Sequence, residues 1–149
     1  MHPEYRRGEF TVSSDPARLD LDVIHHYLAE ESYWASGISR EVMERSLRHS
    51  LCFGLYHGQA QIGLARVVTD QATYAYLADV FVLAPYRGQG LGKWLISCVL
   101  QHPALQGLRR MMLATKDAHS LYAQFGFEPL RRPERHMERL APDFYTVVR

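Results

Sequence analysis

Between Pro85 and Trp94 the chain reads Tyr86-Arg87-Gly88-Gln89-Gly90-Leu91-Gly92-Lys93, with three glycines alternating with larger residues behind a fixed cation. Glycine tolerates positive φ and lets a ligand oxygen come close to main-chain N–H groups. Leu91, Trp94, Leu95, Cys98 and Val99 recur at helical spacing, so a helix is predicted to begin inside the run and to end near Pro103. The first amides of a helix lack intrahelical partners and carry a partial positive charge. Together these features describe a seat for a diphosphate with Arg87 at its mouth. A Walker loop is excluded, because Gly92-Lys93 is followed by Trp94 rather than Ser or Thr. The dinucleotide fingerprint needs GxGxxG and an acidic residue about 20 positions on, where Gln106-Gly107-Leu108 stands instead. The alternative is a glycine-rich strand-to-helix turn with no ligand.

The elements that must position this run follow from periodicity. Phe10 to Ser13 reads as a short strand, and Asp15-Pro16 punctuates it. Val23, Ile24, Tyr27 and Leu28 mark a helix with Asp20 or Asp22 as N-cap, and Ser39 is placed to cap a second helix through about His49. Leu51, Phe53 and Leu55 alternate as a strand; a turn at His57-Gly58-Gln59 leads into Ile62, Leu64 and Val68 on the return. After a turn at Asp70-Gln71-Ala72, Tyr74 to Leu83 is dense in aromatic and branched residues and reads as a strand. Met111 to Thr115 is a short apolar strand. Asp117 is expected to cap a brief helix presenting Ala118, Leu121, Tyr122 and Phe125, stopped by Gly126. Glu134 to Leu140 is expected as a final edge strand. The order predicts an α+β sheet with at least one crossover helix.

The chain has 149 residues, the length of one domain, so residues 1–149 are read as a single unit. Its 17 Lys+Arg balance 16 Asp+Glu, which excludes an overall basic footprint for nucleic acid or an acidic membrane. No apolar run approaches the roughly 18 residues of a membrane span, and the polar start lacks the apolar core of a secretory signal. Cys52 and Cys98 form no CxxC pair, and a reducing, cytoplasmic setting is expected. The histidines show no HExxH or similar spacing, so no metal is expected. The Arg131, Arg132, Arg135 and Arg139 cluster alternates with Glu134 and Glu138 and reads as a solvated edge.

Arg87-Gly88-Gln89-Gly90-Leu91-Gly92 resembles the Arg/Gln-x-x-Gly-x-Gly/Ala acetyl-CoA motif of the GNAT acyltransferases. Val80 to Tyr86 looks like that family's preceding strand and loop, and Leu121-Tyr122-Ala123-Gln124-Phe125-Gly126-Phe127 is similar to its Leu-Tyr-x-x-x-Gly-Phe segment. The resemblance covers roughly residues 74–130. It implies a mixed, mostly antiparallel sheet of six to seven strands, splayed in the middle and flanked by about four helices. It also implies that pantetheine pairs with the backbone of Phe81, Val82 and Leu83. Arg87, Gly88, Gln89, Gly90, Leu91, Gly92 and Lys93 would then hold the diphosphate. Thr115 stands where many relatives carry an asparagine that touches pantetheine; a hydroxyl can serve the same contact.

The implied reaction is direct acyl transfer from acetyl-CoA to an amine. An alkylamine is neutral in only about one molecule in 2,500 at pH 7, a penalty of roughly 4.6 kcal/mol, so a proton acceptor helps. Asp79, an acid inside the apolar stretch Leu77-Ala78-Asp79-Val80-Phe81, is the first candidate for that base. Ala78 replaces a Glu that many relatives carry, which opens two alternatives: Asp79 orients the amine while water or His119 takes the proton, or it is a structural carboxylate that caps a loop or pairs with an arginine such as Arg66. Tyr122 matches the tyrosine that serves the departing thiolate; its alternative is a core tyrosine.

The acceptor is expected against Tyr33 and Trp34, with Asp79, and with Tyr74, Tyr76 and Phe81 from strands; Glu30 or Glu31 would suit an amine cation. The acceptor is read as a small-molecule amine, and the protein as monomer or homodimer. The other readings are acetylation of a peptide N-terminus or protein lysine, and a non-catalytic acetyl-CoA-binding module.

Overall fold

A computed structural model describes residues 2–142 of the chain. Its sheet is built in the order in which the strands leave the sequence: β1 (Glu4–Arg7), β2 (Phe10–Ser13), β3 (Leu51–His57), β4 (Ala60–Thr69), β5 (Tyr74–Val82) and β6 (Arg110–Leu113). The first four junctions are antiparallel, and β5 and β6 are parallel. Antiparallel neighbours need only tight turns, whereas a parallel pair needs a crossover. Gly58, at φ +60°, and Gln59 close the β3–β4 hairpin. Asp70 closes the next turn: its Oδ1 accepts from the backbone N–H of Ala72, Thr73 and Tyr74, and those bonds hold its carboxyl well below the usual range.

The crossover between β5 and β6 is α3 (Leu91–Gln101), which buries Leu91, Leu95, Ile96, Cys98 and Val99 against Phe53, Leu55, Val67, Ala75 and Leu77 on one sheet face. The other face is covered by α1 (Leu21–His26), continued by a π-helical turn through Glu31, and α2 (Arg40–Arg48). There Ile24, Leu28, Met43 and Leu47 pack on Cys52, Leu64 and Phe81. Asp20 and Ser39 cap α1 and α2 as expected, each accepting backbone N–H groups of the first turn. The fourth helix, α4 (His119–Ala123), follows β6.

Strand β5 changes allegiance partway along. Arg66 pairs with Asp79 and Val67 with Leu77, so Ala78 is an extra residue in a β-bulge. A one-residue insertion turns every later side chain to the opposite face. Ala75 and Leu77 therefore pack towards α3, while Phe81 packs towards α1 and α2. Pairing with β6 also stops at Leu77, opposite Leu113, while β5 runs on to Val82. This is the expected splay, but it lies at the junction with edge strand β6 rather than in the middle of the six described strands, and it begins at the bulge.

Three expectations are corrected. Strand β1 was not anticipated, because Glu4-Tyr5-Arg6-Arg7 is polar; edge pairing with β2 supplies its order instead. Asp117 does not cap α4: Ala118 is the N-cap, and the hydroxyl of Thr115 accepts the Ala118 N–H at 3.0 Å. Glu134 to Leu140 is not a strand; Pro133–Arg135 forms one 3-10 turn and the rest is irregular, with Met137 98% exposed. That charge-rich stretch has no apolar stripe to bury, so the sheet has six strands among the described residues.

Candidate active site

A cavity of about 510 Å³ opens where β5 leaves β6. Its walls come from Tyr33, Trp34 and Ile38 of the segment after α1, from Arg66, Tyr76 and Asp79 of the central strands, and from Thr115, Lys116 and Tyr122 beyond β6. Of the residues expected from sequence, Tyr33, Trp34, Asp79, Tyr122, Thr115 and Tyr76 therefore meet at one place.

Asp79 is 5% exposed, and both of its oxygens are engaged. Oδ2 accepts from Arg66 Nε at 2.6 Å, and Oδ1 accepts from Trp34 Nε1 at 2.6 Å. Arg66 also donates from Nη1 to the Ser50 hydroxyl at 3.0 Å. Both carboxylate oxygens are thus occupied in holding neighbouring side chains in place. This is the arginine-paired alternative of the sequence reading, and the bulge produces it. Without the extra Ala78, Asp79 would lie on the face of Leu77, away from Arg66.

Trp34 and Tyr33 tie one segment to both lips of the splay. Trp34 bonds Asp79 on β5, and the Tyr33 hydroxyl accepts the Lys116 backbone N–H at 3.1 Å beyond β6. The two rings meet edge to face at 5.1 Å, and Lys116 Nζ lies 5.3 Å from the Tyr33 ring centre. Tyr122 is buried at the opposite wall, edge to face with Phe127. Burial, and then the neighbouring Tyr33, push its hydroxyl above the ordinary tyrosine value. It is thus protonated throughout the neutral range and can donate a hydrogen bond into the cavity.

The glycine run lies at the N-terminus of α3. Gly88 and Gly90 have φ of +83° and +80°, a region that side-chain-bearing residues rarely adopt. Gly90 is the helix N-cap and offers no side chain to the first-turn amides. Beyond its chain neighbours nothing lies within 4 Å of the place a Gly88 Cβ would take, so the turn is open on that side. Gln89 bonds back to the Tyr86 carbonyl, Leu91 is buried as the first helical residue, and Lys93 is exposed in the first turn. Gly92 approaches Val82, for a Cβ there would lie 3.8 Å from its Cγ2.

Several expected roles shift. The Leu83 N–H donates to Ile62 and its carbonyl accepts from Tyr86, so neither group is left for a ligand. Alternation along the strand then turns the Val82 backbone away from β4. The Phe81 ring stacks on Tyr27 at 4.0 Å on the α1 side and does not line the cavity. Arg87, exposed at the mouth of the run, donates to the Val82 carbonyl at 2.8 Å and to the Tyr27 hydroxyl at 3.1 Å, which leaves only part of its guanidinium for a ligand. Tyr74 lies outside the cavity with its hydroxyl near Met112, and Glu30, Glu31 and His119 do not line it. Lys116 was missed, since a lysine after a short strand carries no distinguishing pattern. Arg66 was expected only as a partner of Asp79; an arginine between Ala65 and Val67 in a core strand is the signal that it needs a buried anion. Among the described residues no cluster of three or more His, Cys, Asp or Glu can hold a metal, and no helix is long and apolar enough to cross a membrane.

Residues 21–127 match the sequence profile of the Acetyltransferase (GNAT) family. A protein of Gibberella zeae named as a putative acetyltransferase is 34% identical, covering 80% of this chain and 79% of its own. The crystal structure of a Xanthomonas campestris protein described as belonging to the GNAT family superposes with a TM-score of 0.90 at 47% identity, over 93% of this chain and 97% of that one. A GNAT acetyltransferase of Elizabethkingia anophelis, solved with acetyl-CoA bound, shares the fold alone, with a TM-score of 0.63 at 14% identity over 92% and 91% of the chains.

Proposed function

The chain belongs to the GNAT acetyltransferase family, and from that premise we propose that it moves the acetyl group of acetyl-CoA to the primary amine of a small molecule seated against Tyr33 and Trp34. The observation that carries this reading is the separation of β5 from β6 beyond Leu77, with the open glycine turn at one end of the gap and Tyr122 in the cavity at the other. Acetyl-CoA supplies an activated acyl group as its thioester. The N–H of Val82 and the amides of Gly88 to Gly92 bind the carrier, and the Tyr33 and Trp34 rings flank the acyl group.

The amine nitrogen attacks the acetyl carbonyl, an amide C–N bond forms, and the C–S bond breaks to release thiolate. The Tyr122 hydroxyl donates a hydrogen bond to that sulfur. The thiolate of a thiol with pKa near 8.5 is a weaker base than tyrosinate, so its stabilisation by this bond suffices without full proton transfer. Asp79 acts as a positioning residue, fixing Trp34 and Arg66, while water takes the amine proton. Residues 1–149 act as one catalytic unit.

Release of free thiol from acetyl-CoA, measured across a panel of small amines, peptides and lysine-bearing proteins, tests the reading. Turnover on a small amine that falls strongly in Tyr122→Phe supports it. Turnover on peptides or proteins alone overturns the acceptor class, and coenzyme A binding without turnover on any acceptor overturns catalysis.

A further inference from the structure

We propose that Arg7, on edge strand β1, is a second cation of the diphosphate seat, acting beside Arg87. This rests on the acetyl-CoA reading above. Arg87 is exposed, but it directs its Nε and one terminal nitrogen at Val82 and Tyr27, so part of its fork is already engaged within the protein. The glycine turn is also approached by Arg7, whose terminal nitrogens lie 3.9 and 4.0 Å from the place a Gly90 Cβ would occupy.

The approach of two segments so distant in sequence has a structural cause. Tyr86 packs edge to face on Phe10 at 6.4 Å and meets His57 through its hydroxyl at 3.2 Å. Those contacts carry the 84–90 segment over the ends of β2 and β3. Phe10 is the register partner of both His57 and Arg7, so the same ladder delivers Arg7 to the turn. Its neighbours Arg6 and Arg18 are drawn to Glu4, at 3.0 and 3.7 Å, whereas among the described residues Arg7 forms no ion pair. A guanidinium with free donors, close to main-chain amides that also favour an anion, forms bidentate bonds to a phosphate. Lys93, on the first turn, is the nearest comparable charge in sequence, but as a single point donor.

Calorimetric titration of the full-length protein with coenzyme A, dephospho-coenzyme A and an acetylated pantetheine lacking phosphates tests the assignment. Arg7→Gln is expected to weaken coenzyme A and dephospho-coenzyme A by about tenfold, with Arg7→Lys intermediate. The phosphate-free donor is used equally by native protein and variant, and the difference shrinks at high salt. Thermal melting of Arg7→Gln is expected to match the native protein, since the side chain is exposed. If native protein binds coenzyme A and Arg7→Gln binds it equally, the Arg7 assignment falls alone. If the loss disappears with dephospho-coenzyme A, the guanidinium meets the ribose phosphate and the diphosphate assignment is wrong. If native protein gives no heat with coenzyme A, the acetyl-CoA reading itself falls, and this with it.

Discussion

Trp34 and Asp79 stand 45 residues apart in sequence, yet the indole Nε1 donates to the Asp79 carboxylate at 2.6 Å. That bond fastens the segment after α1 to the bulged strand and makes a cavity wall of what would otherwise be an exposed loop. It also explains why an acid in a core strand need not be a base: its charge is balanced by Arg66 on one oxygen and its geometry is used by Trp34 on the other.

Asp79→Asn is expected to leave Arg66 buried without its anion, costing about 3–5 kcal/mol in denaturant unfolding. Residual activity should keep the native pH profile, with the effect falling on KM for the acceptor. A stable variant whose acidic limb disappears from the profile would show that Asp79 takes the proton itself. Trp34→Phe keeps the ring and loses the N–H bond; a severalfold rise in acceptor KM with kcat nearly unchanged is expected from steady-state kinetics.

Tyr122→Phe removes the hydroxyl and almost no volume. Release of thiol from acetyl-CoA should slow by about 10²-fold, with KM for acetyl-CoA close to native. Because burial raises the Tyr122 pKa, its loss of a proton should not limit the native rate below pH 10.

The glycines separate structure from binding. At Gly63 a Cβ would lie 2.7 Å from the Phe81 carbonyl and 3.0 Å from Leu55, so Gly63→Ala is expected to lose about 1–3 kcal/mol of stability through displacement of β4 from β5. At Gly90 there is room but the φ is +80°, so Gly90→Ala should cost about 1–2 kcal/mol in strain and, by reshaping the turn, weaken coenzyme A in calorimetry.

Alkaline pH should unfold the protein through its buried thiols and phenols. Burial pushes Cys52 up to about 12, Cys98 to about 11 and Tyr56 to about 12. Each is raised in the fold, so the native state holds protons that the unfolded chain releases first. Their contribution is complete below the unfolded values, near 9 for the thiols and 10 for the phenol, and is lost as pH rises towards 12. Urea midpoints should be level up to about pH 8.5 and fall above it, less steeply in Cys52→Ala.

Much was legible from local chemistry. Asp20 and Ser39 are caps because their side chains reach amides two or three residues on; Gly58 and Gly90 mark turns because few other residues tolerate positive φ. The apolar period of α3 and the glycine run before it located the start of that helix and its open turn, since a helix N-terminus is defined by its own residues. The same local reasoning failed at Asp117 and at Glu134 to Leu140, where a suitable residue type found no matching amide and no neighbouring strand.

What only the tertiary structure decided is which groups face one another. The bulge at Ala78 depends on the register of β4, and it alone turns Asp79 towards Arg66 and Trp34. How many of its donors Arg87 keeps free depends on the acceptors Val82 and Tyr27, and the presence of Arg7 beside the same turn depends on a hairpin at the far edge of the sheet. Caps, turns and amphipathic periods are set by neighbours within one helical turn, so the order of residues along the chain is enough to read them. Ion pairs, cavity walls and the direction of a guanidinium arise from contacts across dozens of residues, and their energies exist only once the sheet has brought those residues together.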